Sequence, residues 1–498
     1  MKSRKLFSAA LFGTGLMVTA HAWATNGMNL EGYGPIALGS GGASYAYDNG
    51  LAAVMNNPAT LALADEGRRA DLALGYLGPN VNSSSGATTW GSDGDAYYMP
   101  AFGWSTKSGQ LTWGIASFAQ GGMGTEYSPG PGSAFSAGGA QATGLGTISP
   151  ATSATAGALR ERSEVGFGRL LLPVTYNVDE RLAVGGTLDY VWANLDLQMA
   201  MPGFNMNDMI GKNLINGSMI SAMLPLLGAG QPLNDIFYGY FDFTDNNDFT
   251  GQAKGNGFAG KLGLTYRVND DLTIGATYHS KTDIGDLKGS ANVSMAVSAD
   301  DNFLADLVDG TYDMDALAGT YSNATFDLKG KIRIINFQWP AIYGAGLAWQ
   351  ARPDLMIAAD IKRIMWSDVM KDFRMSFTAN NSTSNSIFAG LVMNATMPQN
   401  WDDQTVVQLG VAYQLNDRTT LRAGYNGADN PVPDSTVHYL FPAIIENHYT
   451  FGAGYDFDDS NAVNFAMSYA PEVKVTDANG IVITHDQVSW QFMYSHWY

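Results

Sequence analysis

Cysteine is absent from all 498 residues, so no disulfide framework can brace the fold. Charge is scarce as well. Asp, Glu, Lys and Arg make up 15% of the chain, with a net charge of -19. Removing the three basic residues near the N-terminus (Lys2, Arg4, Lys5) takes -19 to -22. That sign excludes nucleic acid as a partner. Beyond the first residues, no stretch offers the roughly 20 uninterrupted apolar residues that a membrane helix needs. Histidines are few and lie in no ligand-spaced cluster. The glycine runs at 39–42 and 121–124 do not open a helix after a strand, as a phosphate cradle requires. Ser495 and His496 are neighbours, so in a strand they point to opposite faces and form no catalytic pair. The expectation is a protein that is not an enzyme and carries no metal and no cofactor.

What is present begins with an export leader. Lys2, Arg4 and Lys5 precede an apolar Leu6–Ala20, and Ala22-Trp23-Ala24 fits the small-x-small cleavage rule. Residues 1–24 read as a signal peptide. Next comes a small-residue stretch, Asp48 to Leu61. Leu51, Val54, Met55 and Leu61 recur at near-helical spacing, which predicts a short helix ended by Asn57-Pro58. A compact piece ahead of many strands suggests a plug, 25–67, inside a barrel, 68–498. The alternative is an N-terminal loop packed on a sandwich.

Strand alternation is the strongest signal. In 463–469, Val463, Phe465, Met467 and Tyr469 alternate with Asn464, Ala466 and Ser468. The 258–266, 407–414 and 488–498 stretches do the same, and a period of two puts each set on one sheet face. The apolar faces end in Tyr or Trp, as an aromatic girdle at a membrane interface would. Short polar turns, such as Val268–Asp271 and Leu415–Arg418, alternate with long stretches near 121–163, 200–254, 289–324 and 379–402. Short turns on one side and long loops on the other mark an outer-membrane barrel. The count is fourteen strands, with 271–288, 326–351 and 355–378 each taken as one. The fold class is therefore all-β: a 14-stranded antiparallel transmembrane β-barrel with an N-terminal hatch in its lumen. The chain ends on Tyr498, an aromatic terminus of the kind the barrel-assembly machinery reads.

Several motifs carry a resemblance. Thr25-Asn26-Gly27, Gly32-Tyr33-Gly34, Gly39–Ala43 and Asn57-Pro58-Ala59 are followed much later by Asn430-Pro431-Val432-Pro433 and Asn447–Tyr455. Together they resemble the FadL-type outer-membrane transporters of long-chain fatty acids and aromatic hydrocarbons. The resemblance implies a fourteen-stranded barrel whose hatch carries Asn57, Pro58 and Ala59. It implies that Thr25 to Leu30 lie beside a ligand pocket. It also implies an inward kink in the third strand, matched here by Leu111–Gly121. Gly114, Gly121 and Gly122 would permit that bend and a lateral opening, or else only relieve crowding.

Two loops bear on the ligand. Met206, Met209, Ile210, Leu214, Met219, Ile220, Met223 and Leu224 recur at helical spacing with few charges. Asn205 or Asn207 would cap that helix and Pro225 end it. Ile387, Phe388 and Leu391 form a second apolar set. Exposed apolar patches of this size mark binding, and methionine adapts to varied greasy ligands. The competing reading is a cap that closes the barrel mouth by packing on itself. Lys261, Arg267, His279 and Arg422 fall on inward faces and would pair with hatch acids such as Asp48, Asp65 or Glu66, or meet a fatty-acid carboxylate. The acidic loops around Asp242–Asp248 and Asp300–Asp315 read as solvated surface.

The expected function is passive transport of hydrophobic small molecules by an outer-membrane monomer among lipid and lipopolysaccharide. Surface capture would be followed by a lumen pocket and a hatch or lateral exit. The rivals are a general porin for polar solutes, and an adhesin or receptor barrel without transport.

Overall fold

A computed structural model describes residues 26–127, 159–247, 250–309, 317–382 and 387–498. All strands of these residues belong to one antiparallel sheet. It closes because the first strand, Gly67–Ser85, pairs both with Tyr97–Ser108 and with the last strand, Val482–Trp497. Closure pairs the first strand with the last, so the sheet ends on neither, as the bilayer demands of strand structures. Period-two alternation becomes inside and outside. Along Asn447–Asp458, Tyr449, Phe451 and Tyr455 are exposed, while His448 and Thr450 are buried. No helix among the described residues is long and apolar enough to cross a membrane.

The expectation of fourteen strands is corrected. The sheet carries 22 strands, and sixteen of them have ten residues or more. Two causes are visible. First, segments taken as single strands are broken. The 326–351 stretch divides into Tyr321–Ile334 and Ile342–Arg352, because Asn336 adopts φ 53° and Pro340 offers no N–H to a ladder. The 355–378 stretch divides at the turn Trp366–Asp368. Second, parts of two expected loops are strands. Leu182–Pro202 pairs with Ala253–Arg267 up to Leu195, then from Leu197 with a further strand, Leu233–Phe243. That strand pairs with Leu287–Asp300, which pairs with Tyr321–Ile334. The sheet thus continues past the barrel wall into an upper annex.

Residues 26–66 fold inside the barrel. They make a short helix, Pro35–Gly39, and two 3-10 turns, Gly50–Val54 and Pro58–Leu63. The helix expected across 51–61 is instead these two turns. Asn57-Pro58 does not end a helix but starts the second turn. Proline sits at its first position and Asn57 caps it by accepting from the Ala59 N–H at 3.1 Å.

Candidate functional site: a wall gap beside the hatch

The hatch is fastened by polar contacts. Asn57 donates to the Tyr45 carbonyl at 2.7 Å and to the Leu264 carbonyl of the wall at 3.1 Å. Its neighbours Pro58 and Ala59 are buried beside it. Lys107 reaches from the wall to the carbonyls of Ala62 and Ala64 at 2.9 and 2.7 Å. Gly41 and Gly42 have φ of 68° and 85°, and a side chain on either would strike the surrounding backbone. The hatch therefore approaches the wall at backbone distance.

The wall is incomplete at one seam. Leu111–Tyr127 pairs with its following neighbour, Glu161–Asn177, along its whole length, with a bulge between Ala119 and Gly121. Its ladder with the preceding strand, Tyr97–Ser108, stops at Phe102–Ser117. Above that point Tyr97–Ala101 pair only with the first strand. The hatch takes part of the vacated edge. Asn29 bridges to Gly121, and Gly122 N–H donates to the Met28 carbonyl at 3.1 Å. Tyr33 Oη donates to the Gln120 carbonyl, and Gln120 Nε2 donates to Asn29 Oδ1 at 3.3 Å. Gly121 has φ 147°, and a Cβ there would run into the Met28 carbonyl. Glycine is what lets the two backbones meet. Gly122 lines the same gap. Gly114 lies lower, in the paired region opposite Ser105, where it serves close strand approach rather than the gap.

Two cavities flank the seam. One, of about 350 Å³, is mainly apolar; Tyr98, Met99, Phe118, Phe167 and Trp192 are in its lining. The other, of about 40 Å³, lies against the hatch, and its lining includes Gly27, Met28, Glu31 and His485. Leu77, Tyr97, Gly122 and Met123 line both, so the two are neighbours across one layer of side chains. Of the expected N-terminal group, Gly27 therefore meets a cavity. Asn26 is buried and donates to the Leu30 carbonyl at 3.4 Å. Thr25 lies outside the described residues.

The inward charges are arranged otherwise than expected. Lys261 pairs not with a hatch acid but with Asp189 of the wall at 2.5 Å, and Arg169 shares that carboxylate at 2.7 Å. His279 meets the Asn56 carbonyl of the hatch at 2.8 Å, and Arg422 donates to Asn464 at 3.0 Å. Arg267 is exposed at a strand end. Asp48 pairs with Arg69 at 3.7 Å, a residue composition did not single out. Nor did the sequence mark Glu31, which sits 2.9 Å from His448 Nε2. Burial pushes the Glu31 carboxyl up. The charge His448 carries when protonated, and its hydrogen bond, outweigh that and hold it below the ordinary value.

The loop residues form a lid above the annex. Its helix is not continuous: Gly203–Gly211 and Ser218–Met223 are separate, and the first follows Pro202 without a side-chain cap. Met206, Met219, Ile220, Met223 and Phe388 are buried in the large apolar core. Met209, Ile210, Ile387 and Leu391 pack against it, Leu214 is half-buried and Leu224 is exposed. None of these eleven lines the two cavities at the seam.

These features have counterparts in known proteins. The profile of a family described as outer membrane protein transport protein (OMPP1/FadL/TodX) matches residues 14–493. The toluene transporter TodX of P. putida is 28% identical and superposes with a TM-score of 0.75, covering 94% of this chain and 99% of that one. The toluene transporter TbuX of Ralstonia pickettii is also 28% identical, with a TM-score of 0.70 and coverage of 94% and 99%. A FadL homologue of Pseudomonas aeruginosa shares the fold at 15% identity, with a TM-score of 0.63 and the same coverage. A Chlorobium limicola protein, described by its place in the 5' region of a phosphoenolpyruvate carboxykinase gene, is 42% identical over 92 residues, 18% of this chain. The chain spans 45% of that relative's length. With the family profile matching nearly from end to end, this chain belongs to the OMPP1/FadL/TodX family of outer-membrane transport proteins.

Proposed function

We propose that the protein is a passive conduit for hydrophobic small molecules, which pass between its lumen and the bilayer through the seam above Phe102–Ser117. One observation carries this reading: an apolar cavity of about 350 Å³ occupies the stretch where, among the described residues, Leu111–Tyr127 lacks its preceding neighbour, and the hatch backbone sits directly behind it. A side opening suits greasy cargo, because it avoids the aqueous periplasm altogether. Apolar burial supplies the affinity, at about 25 cal/mol per Å² removed from water. The lid acts at the other end. Its methionine-rich core collects cargo from the lipopolysaccharide side by repacking around it. Toluene transport by TodX and TbuX supports a hydrocarbon cargo. The hatch that fills the lumen speaks against an open porin, and the buried apolar lid against a bare receptor barrel.

The test uses the absence of native cysteine. Met99→Cys with Ala119→Cys, bridged by a short thiol cross-linker, closes the seam. Uptake of a labelled hydrocarbon by cells carrying the bridged protein should fall to the level of cells without it, and cleaving a reducible linker should restore it. Undiminished uptake through a bridged seam overturns lateral passage. A large steady single-channel current would favour the porin instead.

A further inference from the structure

A residue lining the smaller cavity carries a buried polar atom without a partner among the described residues. His485 is 6% exposed and lies in the lining. Its Nδ1 is 2.9 Å from the Pro442 carbonyl, itself the backbone of a lining residue. A carbonyl only accepts, so this bond assigns the proton to Nδ1. In the neutral ring Nε2 then carries a lone pair, and this atom is buried with no hydrogen-bond partner among the described residues. A buried acceptor left unmade costs free energy, and most such groups find a donor. The rest of the lining narrows what that donor is. Among its described residues there is no lysine or arginine, while Glu31 brings a carboxylate. With that carboxylate already facing His448, the lining offers an anionic head no lysine or arginine of its own.

We propose that His485 Nε2 is the polar anchor of the inner cavity, and that the cargo it selects is a neutral hydrophobic molecule bearing one hydroxyl group, of the phenol or alcohol class. The inference rests on the transport reading and names its cargo. Space agrees with it. About 40 Å³ holds a hydroxyl group but not a ring, since a water needs roughly 10–15 Å³ by the same measure. The neighbouring cavity of about 350 Å³, lined by Met99, Phe118 and Phe167, takes the apolar body. Head and body would be divided at Tyr97, Gly122 and Met123, which line both.

The experiment is calorimetric titration of the detergent-purified full chain with three probes of similar size: 4-ethylphenol, 4-ethylanisole and ethylbenzene. The phenol donates, the ether only accepts, and the hydrocarbon does neither. The expected result is at least tenfold tighter binding of 4-ethylphenol than of either other probe. His485→Phe, which keeps the ring but not the lone pair, should erase the preference and leave ethylbenzene binding in place. Equal affinities for the phenol and the ether in the wild type overturn the anchor, and this comparison needs no variant to fold. A phenol preference that survives in a folded His485→Phe protein overturns it as well. Binding of none of the three overturns the transport reading itself.

Discussion

The hatch and the lid both bury apolar side chains against the same barrel, yet they differ in how much polar fastening is added to that packing. The hatch buries Leu51, Val54 and Leu61 against Ala101, Ala116 and Leu171 of the wall, and adds many polar contacts to that packing. Asn57, Asn49 and Asn56 donate their amides to the carbonyls of Tyr45, Ser44 and Tyr33 within the hatch, and glycines such as Gly41 lie backbone to backbone with the wall. The lid is held mainly by Met206, Met219, Ile220, Met223 and Phe388, whose contacts have no direction, with a few bonds such as Asn394 to Asn216 beside them. Directional bonds give one position and a defined release. Apolar packing with flexible methionines gives many near-equivalent positions. Under the proposed transport role, a plug beside a cavity would need the first and a collecting surface the second.

The contrast can be broken at several points. The largest effect is expected in the wall that faces the hatch. Asp189→Ala would strand Arg169 and Lys261 as buried cations, and should destabilise the folded barrel by about 3–5 kcal/mol, read from urea unfolding in detergent. In the lid, Met219→Ala should cost about 2–5 kcal/mol if packing holds it. Met219→Leu should cost under about 1.5 kcal/mol, because volume suffices there. Asn57→Ala removes directional bonds instead, and about 1–3 kcal/mol is expected, seen as faster hydrogen exchange confined to 45–61. A loss spread equally over lid and hatch would erase the distinction.

Acid offers the mildest test. The Glu31 carboxyl is held below its ordinary 4.5, with burial opposing and His448 prevailing. A lowered carboxyl contributes stability that is present above 4.5 and is lost as pH falls through the still lower folded value. Hatch protection should therefore weaken on acidification below that range, and Glu31→Gln should flatten the change. An unaltered acid profile in Glu31→Gln would remove the Glu31–His448 pair from the account.

Much of this architecture is legible in the chain, for local reasons. Strand alternation survives as inside and outside because the wall is one layer thick, as at Tyr449 and Phe451 against His448 and Thr450. The small-residue hatch is legible because only such residues fit against backbone. What stays hidden depends on partners distant in sequence. Nothing near Tyr97–Ala101 says that its ladder partner is missing, because pairing is a property of two strands. Lys261 gives no sign that its carboxylate is Asp189 of the neighbouring strand. The annex strand Leu233–Phe243 resembled loop because acidic and glycine-rich sequence surrounds it. The apolar periodicity of 206–227 was visible, but it does not distinguish a groove from a packed lid.

The bridge from Met28 and Asn29 to Gly121 and Gly122 has a consequence for motion. The leading segment supplies that edge with backbone partners, as a fragment of strand would. While it is seated, the seam's inner edge has backbone partners; once it leaves, that edge faces hydrocarbon or cargo with N–H and C=O groups uncovered. Under the proposed lateral route, opening and edge exposure would be one event, set by the contacts of Met28, Asn29 and Tyr33 with Gln120, Gly121 and Gly122 rather than by the whole plug.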